Sequence, residues 1–358
     1  MSSSPLQVLI VDDSRIFRGV IEDSLAVRSD VVVIGSVWNG EKALEVCRQS
    51  LPDFVTLDIE MPGIGGLETL KALRELSLAR QHPIGVLLVS TYTRRGAAIT
   101  IEGLQEGAFD FIAKPDGPDA RVNAATLREH LYQKIDAYRT SLSRRSKLVA
   151  VANPADRRVS TTRHKTRFQA VVIGASTGGP EALGRLLPSF ARVCPVPIFL
   201  VQHLPPDFTE YFATSLARRC GIRVIEATEG MIAEPGVLHV ARSGKHLVLH
   251  SQSGQVVLRL SDSPPENGCR PAADVLFRSA AVAYYGQVLT VVLTGMGSDG
   301  AKGASVLKRA GAHVIAQDEA TSVVWGMPGS TVAAGAANEV LPIDEIGPSL
   351  LSHLGFGV

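Results

Sequence analysis

Short apolar runs that stop at a small or polar residue and give way to an amphipathic stretch recur along this chain. That rhythm leaves few folds open to it. Gln7 to Val11 stops at Asp12, and Val31 to Val37, Phe54 to Leu57, Ile84 to Val89 and Phe109 to Ala113 follow the same form. Between them, apolar residues recur at helical spacing. Ile16, Phe17, Val20, Ile21 and Leu25 share one face of a helix expected over Ser14 to Leu25. Further helices are expected over Glu41 to Gln49, Gly66 to Leu76, Gly96 to Glu106 and Ala124 to Leu142. Buried strands alternating with helices imply a parallel sheet covered on both faces.

A second series begins near residue 169. Ala170 to Ile173 leads into Gly174-Ala175-Ser176-Thr177-Gly178-Gly179-Pro180, and Glu181 to Leu187 reads as a helix. Ile198 to Val201 ends at Gln202-His203, Val288 to Leu293 at Thr294-Gly295-Met296-Gly297-Ser298-Asp299-Gly300, and His313 to Ala316 at Gln317-Asp318-Glu319. Val237 to Val240 and His246 to His250 alternate polar with apolar residues and are expected to be hairpin strands, with Val256 to Leu260 pairing to them. A mainly parallel α/β domain with a small antiparallel addition follows. The 358 residues suffice for two cores of this size.

Between the two series, residues 143–168 carry Arg144, Arg145, Lys147, Arg157, Arg158, Arg163, Lys165 and Arg167 against Asp156 alone. This segment reads as a flexible basic linker. A solvated tether is its expected role, ahead of contact with an acidic membrane surface or partner. The domains are therefore placed at residues 1–142 and 169–358.

Composition narrows the class. Apolar residues make up 45% and charged residues 20%, as in a soluble globular protein, and a net charge of +1 gives no general attraction to nucleic acid. No signal peptide is expected ahead of the first strand, and no apolar run approaches the ~18 residues of a membrane span. Cys47, Cys194, Cys220 and Cys269 form no C-x-x-C pair. A cytoplasmic, reduced protein without structural zinc is expected, with no membrane insertion.

Two sets of residues can carry chemistry. In the first series, Asp12 and Asp13, Asp58, Ser90 with Thr91, and Lys114 with Pro115 all follow strands. Strand ends share one edge in a doubly wound sheet, and ligands bind there. Three carboxylates meeting at one edge repel unless a hard cation such as Mg²⁺ neutralises them. Such a pocket suits transient phosphorylation of an aspartate. Helix capping by Asp13 or Ser14 explains one residue but not the set.

In the second series, Gly174 to Gly178 fits G-x-S-x-G, in which a serine sits on a tight strand-to-helix turn. An ordinary junction or a phosphate-binding loop fits the pattern equally well. A nucleophilic serine needs a base, and His203 stands just past a strand on the same edge. His239, His246 and His250 lie inside strands, His313 belongs at the opposite edge, and His82, His130, His164 and His353 lie elsewhere. For the orienting acid, Asp299 and Asp318 have equal claims. The order Ser…His…Asp differs from that of α/β-hydrolases but does not exclude a triad.

Residues 6 to about 135 resemble a two-component response-regulator receiver domain, a flavodoxin-like (βα)5 fold. Val11-Asp12-Asp13-Ser14, Leu57-Asp58-Ile59-Glu60-Met61-Pro62-Gly63, Val89-Ser90 and Ala113-Lys114-Pro115 carry the resemblance. It implies that Asp58 accepts the phosphoryl group and that Asp12 and Asp13, with Asp58, bind Mg²⁺. Ser90 and Lys114 would contact the phosphoryl group. Phe111 falls where the family has an aromatic switch residue, and a core aromatic explains it equally well.

Residues 169 to about 350 resemble the catalytic domain of CheB-type chemotaxis protein-glutamate methylesterases. The motifs are Ile173 to Pro180, Val201-Gln202-His203, Arg270-Pro271 with Asp274-Val275-Leu276-Phe277, Leu293 to Ala301, Gln317-Asp318-Glu319 and Gly326-Met327-Pro328. The resemblance implies a doubly wound esterase domain with a Ser176–His203–Asp299 triad, and so prefers Asp299 to Asp318. It implies an oxyanion site near Thr177 and the Met296 N–H, and no cofactor in this domain. Arg242-Ser243-Gly244 departs from a family Pro-Gly turn, and Cys269 stands where histidine is common.

The implied activity is hydrolysis of glutamate methyl esters on chemoreceptors, releasing methanol, with deamidation of receptor glutamines as a second activity. A chemotaxis histidine kinase would be the phosphodonor, the chain would act as a monomer, and the unphosphorylated receiver would cover the catalytic cleft. A binding scaffold with a dead site is the alternative that the intact triad disfavours. A transcriptional regulator would need a recognition helix in the second domain, and none is visible.

Overall fold

The computed structural model describes residues 4–91, 93–149 and 168–356. The chain divides into two compact units, Met1–Thr140 and Ser141–Val358.

In the first unit, β1 (Leu6–Val11), β2 (Val31–Val37), β3 (Phe54–Asp58), β4 (Gly85–Ser90) and β5 (Asp110–Ala113) alternate with α1 (Arg15–Ala26), α2 (Gly40–Gln49), α3 (Gly66–Arg80), α4 (Arg94–Gln105) and α5 (Ala120–Val149). The strands pair in parallel in the order β2-β1-β3-β4-β5. This is the flavodoxin-like order, with its switch point between β1 and β3. Ser14, Asn39 and Thr93 each cap a helix by accepting from the N–H three residues on. At α1 the cap is Ser14, not Asp13.

The last helix is longer at both ends than the expected 124–142. Asp119 Oδ1 accepts from the N–H groups of Arg121 and Val122 and starts α5 earlier. Leu127, Leu131, Ile135 and Tyr138 form its buried stripe, and Tyr138 packs between Phe54 and Phe109. Beyond that stripe Arg144, Arg145 and Lys147 are good helix formers, and α5 runs on to Val149. It thus takes in the first residues assigned to the linker. The rest of that segment, residues 150–167 with His164, lies outside the described residues.

The second unit holds a seven-stranded, wholly parallel sheet. Its strands are β6 (Ala170–Ala175), β7 (Ile198–Gln202), β8 (Arg223–Glu226), β9 (Val237–Val240), β12 (Val288–Val292), β13 (His313–Gln317) and β14 (Glu339–Leu341), in the order β14-β13-β12-β6-β7-β9-β8. β10 (His246–Gln252) and β11 (Gln255–Ser261) form a separate antiparallel hairpin. The helices are α6 (Gly179–Phe190), α7 (Thr209–Cys220), α8 (Ala273–Ala283), α9 (Ala301–Arg309), α10 (Met327–Ala333) and α11 (Ile343–His353). The chain runs outward from β12 through β13 to β14, and from β6 through β7 to an edge where β9 inserts inside β8, so the switch point lies between β6 and β12.

One strand differs from expectation. Val237–Val240 belongs to the parallel sheet, between β7 and β8, and not to the hairpin. Its apparent alternation comes from His239, which is fully buried and stacked on Phe199 with ring centroids 5.4 Å apart. Burial pushes the pKa of His239 down to about 4, so the ring is neutral at pH 7, and its Nε2 accepts from the Glu234 N–H at 3.2 Å. A neutral histidine with a hydrogen-bond partner serves as a core residue.

Candidate active site

The register of β6 and β7 fixes the first pair of residues. Gly174 pairs with Val201 and Ala175 with Gln202, so Ser176 and His203 are the next residues on adjacent strands. The His203 N–H donates to the Ala175 carbonyl at 3.1 Å. Ser176 is held by its backbone. Its N–H donates to Thr294 O at 3.0 Å, and its carbonyl accepts from Gly179 N–H and from Gln202 Nε2. The turn needs glycine at 178, where φ is +76° and a Cβ would lie 2.5 Å from the Val323 side chain. Gly295 allows the β12 loop to close on the serine, because a Cβ there would lie 2.7 Å from Ser176 Cβ.

Asp299 arrives on the loop after β12, at the switch-point crevice. It is 2% exposed and accepts five hydrogen bonds. His203 Nε2 is 2.8 Å from Oδ2, and the Ala273 N–H donates to the same oxygen at 2.7 Å. Oδ1 accepts from Asp274 N–H, Gly300 N–H and Asn267 Nδ2. Ala273 and Asp274 open α8, so the carboxylate sits at a helix N-terminus, where negative charge is favoured. Burial alone would raise its pKa. The His203 ring and the α8 amides outweigh burial and hold it below the usual range.

Burial disfavours a charged His203, but the hydrogen bond it donates to Asp299 and the neighbouring Cys269 overcome this, and the His203 pKa is pushed up to about 9. The other ring nitrogen, Nδ1, is 3.6 Å from Cys269 Sγ. Asp299 therefore engages Nε2 while Nδ1 faces Cys269, so the acid takes the ring nitrogen opposite to that in the chymotrypsin arrangement. Met296 is part-exposed, and its N–H has no acceptor among the described residues. Thr177 is buried, and its carbonyl accepts from Thr294 Oγ1.

Asp318, the rival acid, caps its own turn by accepting from the N–H and Oγ1 of Thr321. Two contributors had no role assigned from the sequence. Asn267 Nδ2 donates to both Asp274 Oδ2 and Asp299 Oδ1, yet Asn267-Gly268 reads as a plain turn. Gln317 Oε1 accepts from Thr294 N–H and its Nε2 donates to Thr321 O, which ties the β12 and β13 loops together.

The first unit gathers its polar residues at its own switch point. Ligating atoms of Asp12, Asp13 and Asp58 all lie within 4.8 Å of one another. Lys114 Nζ is 2.7 Å from Asp58 Oδ2 and 2.8 Å from Asp12 Oδ2. Burial and the Asp12 charge push the pKa of Asp58 up to about 6, although Lys114 and the Glu60 N–H pull the other way. Two buried carboxylates, Asp12 and Asp58, crowded with the exposed Asp13, fit a hard divalent cation. Ser90 is buried at the end of β4, and its carbonyl accepts from the Lys114 N–H at 2.7 Å. Phe111 is buried on β5.

Comparison with known proteins assigns a family to each unit. The CheB methylesterase family matches residues 171–350, and the response regulator receiver domain family matches residues 8–126. A protein-glutamate methylesterase/protein-glutamine glutaminase of Nocardioides sp. is 42% identical over 355 residues, covering 98% of this chain and 95% of that protein. One from Desulfotalea psychrophila is 39% identical over 363 residues, covering 97% and 98%. The crystal structure of the Thermotoga maritima CheB methylesterase catalytic domain superposes with a TM-score of 0.51 at 42% identity, covering 52% of this chain and 98% of that one. Among the described residues no helix is long and apolar enough to cross a membrane. The chain belongs to the CheB methylesterase family, with a response-regulator receiver domain preceding the catalytic domain.

Proposed function

We propose that this chain hydrolyses glutamate methyl esters on chemoreceptors, releasing methanol, and deamidates receptor glutamines at the same site. The observation that carries this reading is the 2.8 Å contact of His203 Nε2 with the buried Asp299, on the sheet edge that also presents Ser176. With Nε2–H donating to Asp299, Nδ1 carries the lone pair and is the base. It takes the Ser176 proton as the hydroxyl attacks the side-chain carbonyl. The Met296 N–H, together with the backbone near Thr177, binds the oxyanion. His203 then protonates the leaving methoxide or ammonia, and water cleaves the acyl-enzyme by the same route.

Control is assigned to Asp58 as phosphoacceptor, with a chemotaxis histidine kinase as phosphodonor. Asp12, Asp13 and Asp58 would hold Mg²⁺, which offsets negative charge at the acceptor when bound. Lys114 and Ser90 respond to the phosphoryl group, and the unphosphorylated receiver restrains the esterase. The chain acts as a monomer in the cytoplasm, without nucleic acid.

The test is methanol release from methylated receptor, with and without a small-molecule phosphodonor, beside labelling by a serine-reactive probe. Phosphodonor-stimulated release, lost together with labelling in Ser176→Ala, supports the reading. Undiminished release by Ser176→Ala refutes the triad.

A further inference from the structure

His313, Glu339 and His353 lie in the catalytic unit and take no part in ester hydrolysis. Their ligating atoms all fall within 4.8 Å of one another. His313 opens β13 and Glu339 opens β14, while the triad follows the opposite, C-terminal strand ends. Glu339 pairs with Ile315, so His313 lies two residues away in register, on the same face. His353 closes α11. Glu339 Oε1 is 2.5 Å from His313 Nε2 and 2.9 Å from His353 Nε2, and Oε2 accepts from Ser349 Oγ at 2.9 Å. The imidazole centroids are 4.0 Å apart, and Phe168 meets His353 edge-on. The three side chains are 21–31% exposed, so solvent ions reach them.

We propose that His313 Nε2, His353 Nε2 and Glu339 Oε1 form a Zn²⁺ site, with water in the fourth position. Two imidazoles and one carboxylate are a zinc donor set, whereas Mg²⁺ and Ca²⁺ prefer oxygen alone. One imidazole–carboxylate pair is an ordinary hydrogen bond. A second imidazole aimed at the same oxygen, from a third chain segment, makes a three-donor convergence. Donors about 2.0–2.2 Å from a tetrahedral zinc stand roughly 3.3 Å apart, so small side-chain rotations open the cluster to the ion. Ser349 fixes the carboxylate from outside, as outer-shell partners do. The cysteine spacing that argues against structural zinc does not bear on this site, since none of its ligands is a cysteine. Bound zinc would tie β14, a three-residue edge strand, and the end of α11 to β13. Occupancy therefore acts on stability and not on turnover.

The test uses the untagged full chain, stripped by chelator and kept in excess Mg²⁺ to occupy the receiver. Zn²⁺ is titrated calorimetrically, Co²⁺ absorption reports coordination geometry, and the melting temperature is followed. The expected result is zinc binding with a tetrahedral cobalt spectrum and a rise in melting temperature. His353→Ala and, separately, Glu339→Gln should weaken binding by at least about tenfold and abolish the cobalt spectrum. Both should hydrolyse ester at the parental rate in zinc-free buffer, which reports an intact fold. Cys269→Ser should bind zinc as the parent does, which separates this cluster from the Cys269–His203 pair. No binding, binding unchanged in both ligand variants, or binding lost only in Cys269→Ser overturns the proposal.

Discussion

The two parallel sheets of this chain place carboxylates at the same topological position and give them different companions. In the receiver, Asp58 and Asp12 share Lys114, a cation that stays protonated, its two carboxylates outweighing the burial that opposes its charge. In the catalytic unit, Asp299 faces His203, which can hold or release a proton. The first arrangement offers a fixed positive charge to an incoming anion and leaves an aspartate as acceptor. The second supports proton shuttling next to a hydroxyl. The fold supplies the edge in both cases, and the partner of the carboxylate selects the chemistry.

The sharpest way to break this contrast is to remove the charge of the catalytic acid. Asp299→Asn should lower methanol release by ~10⁴, the loss seen in the type case, because His203 loses the group that sets its tautomer. Asp318→Asn, which weakens a turn cap away from His203, should cost far less. A reversed ranking would transfer the acid role to Asp318.

Next in size is the receiver. Asp58→Asn should abolish stimulation by phosphodonor while leaving basal turnover in place, and deletion of residues 1 to about 145 should raise basal turnover. Covalent connection would keep even a weak inhibitory contact effective, so the deletion tests the proposed restraint directly. A fragment no faster than the unphosphorylated parent would favour activation by contact instead.

A smaller and more diagnostic effect concerns pH. The folded pKa of His203, about 9, lies above its ordinary 6.5. Its contribution to stability is then fully present below about pH 6.5 and is lost as pH rises toward 9. Turnover needs neutral His203 and should rise across the same window. Rates and urea midpoints of the parent and His203→Gln, measured from pH 6 to 9.5, check both slopes. A parent midpoint that tracks the variant across this range would remove the raised pKa.

The smallest effect is expected at Cys269, which helps to raise the His203 pKa. Cys269→Ala should move the pH–rate profile slightly toward acid without loss of maximal turnover. A profile that stays in place would show that Asp299 alone sets the base.

Much of this was legible in the sequence, because strand ends and loop residues coincide in parallel sheets. Ser176, His203 and Asp299 each follow an apolar run, and so come to one sheet edge once the strands pair. What stayed hidden had physical causes. His239 made a buried parallel strand look alternating. Arg223 and Glu226 bracket only two apolar residues in β8, and β14 has three residues in all. Spacing could not separate Asp299 from Asp318, since the difference lies in which loop approaches α8. The choice of Nε2 over Nδ1 depends on ring orientation, which no local pattern encodes.

The Asp299 carboxylate has about four lone-pair directions and already receives five donors, three of them backbone amides that cannot leave. The four donors other than His203 stabilise the anion and hold its pKa low, so the proton of the imidazolium stays on nitrogen. Each half-reaction should therefore carry one proton in flight, and rates in mixtures of light and heavy water should fall on a straight line against deuterium fraction. The network around the acid thus sets the isotope signature of a bond-breaking step in which the acid itself gains and loses nothing.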